Sequence, residues 1–421
     1  MFNLDFKTNL KYLINCADEG DLVKMINKNI LFFKRQKDTY VNHQVNEFRK
    51  YFHKVYSLVY PTLFKRLGKI NFELILINYI IRKKIDIIII NMFGKNFELE
   101  PEFLCDIKKL GVKVVFMSLD SETELDHEKY FSQLADFIII ADYFNKYYYE
   151  SLGIPSFLYF SSYSSKEYFP YNLDDRNIDV SFVGWMDKAD RKEYIDYLLK
   201  HNINVEIFGV GTTGGEVSLK KMIDIFNRSK INLNFTKAGF SGDVIENNWL
   251  NIRKRQNKGR PIEISLTNSF CLSEYAPSIK YVFEEGKEIV TFYSKEDLLS
   301  KIHFFLQNKK ERERIAANAY KKALKYYESD VYIKDVVENM MSQLEYETDC
   351  RSQDIFIDDN FRVRNCCFFI AQSHQSLRKK QYKKSKEFLL LSLKFGILIF
   401  FRGFLLCLRK KYKYKTYITG K

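Results

Sequence analysis

The feature that most restricts what this chain can fold into is an alternation, run through twice, of short β-branched apolar runs with stretches of helical period. Ile30–Phe33, Asp86–Ile90, Lys113–Phe116 and Phe137–Ile140 include runs such as DIIII and FIII. Apolar without alternation and bounded after a few residues, they read as strands covered on both faces. Between them, Phe72–Arg82, Glu100–Leu110 and Asp142–Leu152 carry apolar residues at helical spacing, and the last two stop at Gly111 and Gly153. The alternation then restarts with strands at Asp179–Val183, Val205–Phe208, Ile231–Phe235, Phe270–Ser273 and Ile289–Phe292, closed by helices at Lys309–Tyr327 and Val331–Leu344. The pattern predicts two doubly wound α/β domains, residues 1–165 and 166–345, followed by a helical, basic tail at 346–421. The first 27 residues read as helical without further assignment.

Composition agrees with folded domains. Of 421 residues 46% are hydrophobic and 29% charged, with 17 Gly and 6 Pro, which excludes collagenous, low-complexity and largely disordered chains. The seven cysteines are scattered and form no C-x-x-C pair, so neither a disulfide framework nor a zinc site is expected. Met1–Leu10 mixes acid and base without an apolar core, and a cytoplasmic location is the expectation. The net charge of +14 invites a nucleic-acid reading, but its position argues against one. Residues 373–421 hold fourteen Lys and Arg against the single acid Glu387, a net +13, which leaves +1 for the rest. A near-neutral body with a basic apolar tail fits attachment to an anionic surface better than a duplex-length groove.

Two stretches carry chemistry. Gly209, Gly211 and Gly214 form a G-x-G-x-x-G after the strand VEIF. The dinucleotide fingerprint belongs after a domain's first strand with an acid ending the next; this copy follows the second strand, and INLNFT has no acid. A plain glycine turn, a phosphate- or sugar-facing loop and an NAD site therefore all remain readings of it. The second stretch concentrates Arg253, Lys254, Arg255, Lys258 and Arg260 just before a helix bearing Glu263. Such cations can neutralise a diphosphate, and a carboxylate one turn into the helix can take both hydroxyls of a ribose. The plainer alternative is a solvated loop and an acid favoured by the helix dipole.

From GRPIEISLTNSFCLSEYAPSIKYVFEEGKEIVTFYSKEDLLSKIHFFLQNKKERERIAANAYKKAL, with DVSFVGWMDKADRKEYIDYL before it, the sequence resembles the CgeB-like glycosyltransferases, a group with the two-domain GT-B architecture. The phrases R-x-x-E, L-S-E-Y, F-E-x-G-K-E-I-V, S-x-E-D-L and E-R-x-x-I-A occur in the family's order. The resemblance covers about 180–345, extends loosely over 80–170, and leaves out the first 75 residues and those after 345. It implies two Rossmann-like domains facing across a cleft. The C-terminal one would hold a nucleotide diphosphate sugar as co-substrate, with no cofactor, and the sugar would pass to a cell-surface polysaccharide, glycolipid or protein acceptor.

By position, the resemblance puts Glu263 on the donor ribose, Arg260 and Lys258 at the diphosphate, and Gly184 with Arg191 in the first phosphate-side loop. Gly209 and Gly211 would let the backbone approach the donor. Glu284 would be structural and Glu288 a cleft residue. The family often has Gly or a small residue near Asn268-Ser269, where this chain departs. Fixed cations, Arg260 and Arg191, would stabilise the leaving diphosphate. Were the reaction inverting, Asp120 in SLDSE would be the base, with helix capping as its plainer role and His43 a weaker candidate.

None of the six His has a ligand spacing, no D-x-D follows a strand, and no G-x-x-x-x-G-K-[ST] loop occurs, so a metal-independent enzyme is expected. A non-catalytic module binding nucleotide sugar or glycan at the membrane is the alternative, and an NAD-dependent oxidoreductase a further one. In the tail, Phe388–Leu408 is long enough to span a bilayer, but Lys394 and Arg402 interrupt it. A helix lying in the membrane interface, peripheral on the inner face, is expected; a helical hairpin packed on the body is the alternative.

Overall fold

A computed structural model describes residues 26–35, 39–92, 98–119, 121–173, 175–188, 190–237, 255–345, 356–394 and 396–409. Contacts divide the chain into two compact units, one of residues 1–117, 126–138 and 343–421, the other of 118–125 and 139–342.

The first sheet runs β2-β1-β3-β4-β5-β6, with β1 Ile26–Lys34, β2 Phe52–Val59, β3 Ile87–Met92, β4 Lys113–Ser118, β5 Phe137–Ile140 and β6 Ser156–Leu158. β1 pairs in parallel with both β2 and β3. Four of the six are the apolar runs expected. β2 escapes that reading because it lies at the sheet's edge, where FHKVYSLV mixes buried positions with exposed His53 and Lys54. Gly111 and Gly153 end their helices with φ of +80° and +72°, in the left-handed region expected of stop residues. Asp142 starts its helix by accepting from the amides of Phe144 and Asn145.

The second sheet runs β11-β10-β9-β7-β8, with β7 Ile178–Val183, β8 Val205–Phe208, β9 Ser229–Asn234, β10 Cys271–Glu274 and β11 Val290–Phe292. All four pairings are parallel. Val180, Phe182, Ile231 and Leu233 of the sheet pack with Ile195 and Leu198 of helix Arg191–Lys200 and with Leu298, Ile302 and Phe305 of helix Lys295–Gln307. Ile178, Val183 and Cys271 pack instead with Ile262, Ile264 and Leu266 of helix Arg260–Leu266 and Ala319 and Ala323 of helix Lys309–Tyr326. Helices therefore cover both faces, as uninterrupted apolar strands require.

The tail departs from expectation. Phe388–Leu408 is not one helix: helices Tyr382–Leu393 and Ile397–Arg409 meet at a 117° bend beside Gly396, which takes φ +97°. With helix Asp359–Arg378 before them, they belong to the unit of the first sheet. Among the described residues no single helix is long and apolar enough to cross a membrane.

Candidate functional site

In the second sheet the strand order reverses between β7 and β9, and open α/β sheets bind ligands beyond the carboxyl ends of the strands at such a point. Arg191 lies across it. This first residue of its helix is only 6% exposed, and its Nη1 donates to the carbonyl of Trp185, after β7, at 2.8 Å. Nη2 makes a longer bond, 3.4 Å, to the carbonyl of Phe235, after β9. The guanidinium lies 5.8 Å from the Phe182 ring centre, and its Nε, also buried, has no hydrogen-bond partner among the described residues. Burial pushes the Arg191 pKa down to about 10, with the charge of Glu274 opposing and that of Arg260 adding to the fall. A desolvated cation with a spare donor is a strong site for an anion.

Two glycines close the loops beside it. Gly184 donates its N–H to the Phe208 carbonyl at 2.9 Å, and a Cβ added at Gly209, where φ is +116°, would stand 2.2 Å from the Gly184 carbonyl oxygen. Gly211, with φ +75°, would bring a Cβ to 2.9 Å from Asp187 Oδ2. The G-x-G-x-x-G folds back on itself, with the Gly209 amide on the Gly215 carbonyl at 2.7 Å and the Gly214 amide on that of Ile207 at 3.1 Å. It does not open a helix. The next one begins at Leu219, capped by Ser218, and β8 is an edge strand. The structural context of a dinucleotide fingerprint is absent.

The third component is the segment from Arg255 to Glu263. Gly259 is required because a Cβ there would overlap Tyr163 Oη at 1.9 Å. Pro261 then opens the helix carrying Arg260 and Glu263, which pair at 2.7 Å. Arg260 also touches Met222 Sδ at 2.9 Å and lies 5.3 Å over the Phe226 ring. Glu263, 8% exposed, takes a second hydrogen bond at 2.8 Å from Tyr168, whose hydroxyl burial and then the Glu263 charge hold un-ionised. Lys258 donates to Gln256 Oε1, and Gln256 Nε2 donates to the carbonyl of Leu119 at 2.5 Å.

Three residues at this end of the sheet were not singled out from sequence. Asn257 is 1% exposed and neither polar atom of its side chain has a partner among the described residues. Glu274, fully buried at the end of β10, accepts from the amides of Thr236 and Lys237 at 2.9 and 3.0 Å, while Arg255 Nη1 lies 2.8 Å from its other oxygen. Tyr168, already described, is the third. Glu274 had a signal, the L-S-E-Y phrase at a strand end; Asn257, between two polar residues, had none.

Gly184, Arg191, Gly209, Gly211, Lys258, Arg260, Glu263 and Glu288 all lie within one unit. Within that unit Glu288 accepts from the Glu284 amide at 2.7 Å and from Lys322 at 2.6 Å, while Glu284 pairs with Lys287 at 2.6 Å. Asn268 takes φ +50°, so at the turn where the CgeB-like family often has Gly or a small residue the asparagine itself supplies the left-handed conformation. Asp120, Arg253 and Lys254 lie outside the described residues. His43 is half-buried on helix Thr39–Arg49 in the other unit. Among the described residues no group of three or more His, Cys, Asp or Glu is placed to hold a metal ion.

Residues 185–338 match the glycosyl transferase-like family model. That is somewhat over a third of the chain, and it contains every donor-side candidate but Gly184. Among solved structures the chain is similar to Anabaena HepE in complex with UDP, at 12% identity and a TM-score of 0.54, covering 75% of this chain and 100% of that one. Sucrose-phosphate synthase from Thermosynechococcus elongatus aligns at 10% identity and 0.54, covering 75% and 100%. A glycosyltransferase from Rickettsia africae aligns at 11% and 0.54, covering 76% and 99%. No curated protein matches. At these identities the likeness concerns the fold, and the fold is GT-B.

Proposed function

We propose that the chain is a glycosyltransferase of the CgeB-like group that uses a nucleoside diphosphate sugar. The observation that carries this reading is Arg191: a buried guanidinium with an unpartnered Nε at the switch point, close enough to Arg260 to feel its charge. Arg260 is already paired with Glu263, but the Arg191 guanidinium bonds only to backbone carbonyls, and a diphosphate would give its buried charge an anionic partner. The family match over 185–338 and the UDP carried by Anabaena HepE make a uridine diphosphate sugar the first donor to test.

In the reaction an acceptor hydroxyl attacks the anomeric carbon, the bond from that carbon to the diphosphate oxygen breaks, and the hydroxyl proton passes to a base. Negative charge grows on the departing diphosphate, where Arg191 and Arg260 stabilise it in a low-dielectric setting. Glu263, fixed by Tyr168 and Arg260, takes the ribose hydroxyls. Asp120, by its place after β4 in sequence, is the base for an inverting reaction. The arginines carry the phosphate charge in this account, so activity persists in EDTA. The acceptor is a polysaccharide, glycolipid or protein at the cell surface.

The test is release of the nucleoside diphosphate from UDP-, GDP- and dTDP-sugars by the wild type, Arg191→Met, Glu263→Gln and Asp120→Asn. Release from one donor, abolished by the first two substitutions, supports the reading. Donor binding without release in any acceptor mixture would make the chain a binding module instead.

A further inference from the structure

The tail carries a second surface, independent of the transferase reading. Helices Tyr382–Leu393 and Ile397–Arg409 are docked by their inner sides. Phe388, 1% exposed, stacks at 5.6 Å on Phe64 and 6.3 Å on Phe369. Ser392 is buried, Cys367 Sγ reaches the Gly403 carbonyl at 3.2 Å, and Lys394 Nζ pairs at 2.5 Å with buried Glu100. Phe388, expected to face lipid, is thus turned into the protein, while Lys394 stays exposed and reaches Glu100 only with its ammonium.

The outer sides are apolar. Leu390 and Leu393 on the first helix and Ile397, Leu398, Phe401 and Leu405 on the second are exposed, Leu398 to 77% and Ile397 to 65%. Their spacing, 390 and 393, then 397, 398, 401 and 405, places each set on one helical face. The patch surrounds the bend, and basic residues flank it. Arg378, Lys379, Lys380, Lys383 and Lys386 are exposed on the approach, and Arg402 is exposed beside the second set. Glu387, the one acid in residues 373–421, is engaged instead by the Ile70 amide at 3.2 Å.

We propose that this outer face is a docking surface for an anionic lipid bilayer, with both helices lying in the headgroup plane. Two physical points select that occupant. The helices have 12 and 13 residues, about 18 and 20 Å long at 1.5 Å per residue, and are bent by 117°, so neither crosses a core of about 30 Å. A second copy of the same face would set lysine against lysine around the apolar patch, whereas anionic headgroups meet the lysines while acyl chains take the leucines and phenylalanines.

The experiment uses the full chain in flotation with vesicles of phosphatidylcholine alone or mixed with phosphatidylserine. Three proteins are compared: the wild type, Leu398→Glu with Phe401→Glu, and Lys383→Glu with Lys386→Glu. The wild type is expected to float with the mixed vesicles and to lose binding as salt rises. Each double variant should bind at least about tenfold more weakly with unchanged thermal unfolding, because the altered side chains are exposed. Equal binding to both vesicle types, or none to either, overturns the proposal. So does a dimer in solution that Leu398→Glu with Phe401→Glu dissolves while vesicles are ignored.

Discussion

Replacing Arg191 with methionine separates a binding role from a structural one. Burial, with Arg260 adding and Glu274 opposing, brings its pKa to about 10; at about 1.4 kcal/mol per pKa unit, holding the charge costs the empty fold roughly 3 kcal/mol. Because the folded value is the depressed one, that penalty applies at every pH below about 10 and is relieved above it. Against it stand the bonds to the Trp185 and Phe235 carbonyls, of which only the first, at 2.8 Å, is short; hydrogen bonds from a charged donor contribute about 1.5–3 kcal/mol. Methionine keeps most of the volume and removes both terms. The ligand-free variant should therefore unfold within about 4 °C of the wild type. Donor binding should weaken sharply, since truncating one side of a buried charge pair costs about 2–5 kcal/mol, or roughly 30- to 5,000-fold in Kd. The assay is thermal unfolding with and without a UDP-sugar at about a hundred times the wild-type Kd, where the wild type gains about 2.7 kcal/mol and the variant at most about 0.9 kcal/mol, the gain left by a roughly 30-fold weaker Kd. A variant far less stable without ligand yet shifted by donor as much as the wild type would refute the argument and make Arg191 a strut between two loops.

Other consequences can be checked more briefly. Gly209→Ala should lose roughly 2–4 kcal/mol in urea unfolding, because φ +116° is strained for alanine and its Cβ meets the Gly184 carbonyl; a loss under about 0.5 kcal/mol means the two loops do not touch. Burial would raise the Glu100 carboxyl, but Lys69 and Lys394 outweigh it and hold it below the usual range. Its stabilising contribution is thus complete above the unfolded value of about 4.3 and fades as pH falls through the lower folded value. Glu100→Gln should cost about 3 kcal/mol at neutral pH, discounted for the partial exposure of Lys394, and should make the tail more susceptible to limited proteolysis. Unchanged cleavage would show that this pair does not hold the tail. Glu288→Ala should loosen the turn anchored by Lys322 and leave donor affinity within about twofold of the wild type, measured by calorimetry.

Strand positions were legible because a parallel strand buried on both faces must be apolar throughout, and Ile88, Val114 and Ile139 are each fully buried. β2 was not, since an edge strand needs to be apolar on one side only. The tail misread as one helix shows the same limit from another side. Its composition permitted a continuous span; the chain instead bends beside Gly396, and Phe388 on Phe64 and Lys394 on Glu100 are contacts with residues about 300 positions away.

Within the candidate site, the sequence by itself determined which residue types were at hand: the glycines after β7 and β8, the cations before Arg260, and Glu263 one turn into its helix. These are local features, tied to the ends of strands and helices whose pattern is local too. Only tertiary structure decided that Gly184 and Gly209 need each other, that Arg191 bridges the loops after β7 and β9, and that Asn257 and Glu274 share this end of the sheet. It also tied Glu288 into a turn with Lys322. The reason is burial. A polar side chain acquires its charge state and its need for a partner from what surrounds it, and here those surroundings come from strands that are neighbours in the sheet and distant in the chain.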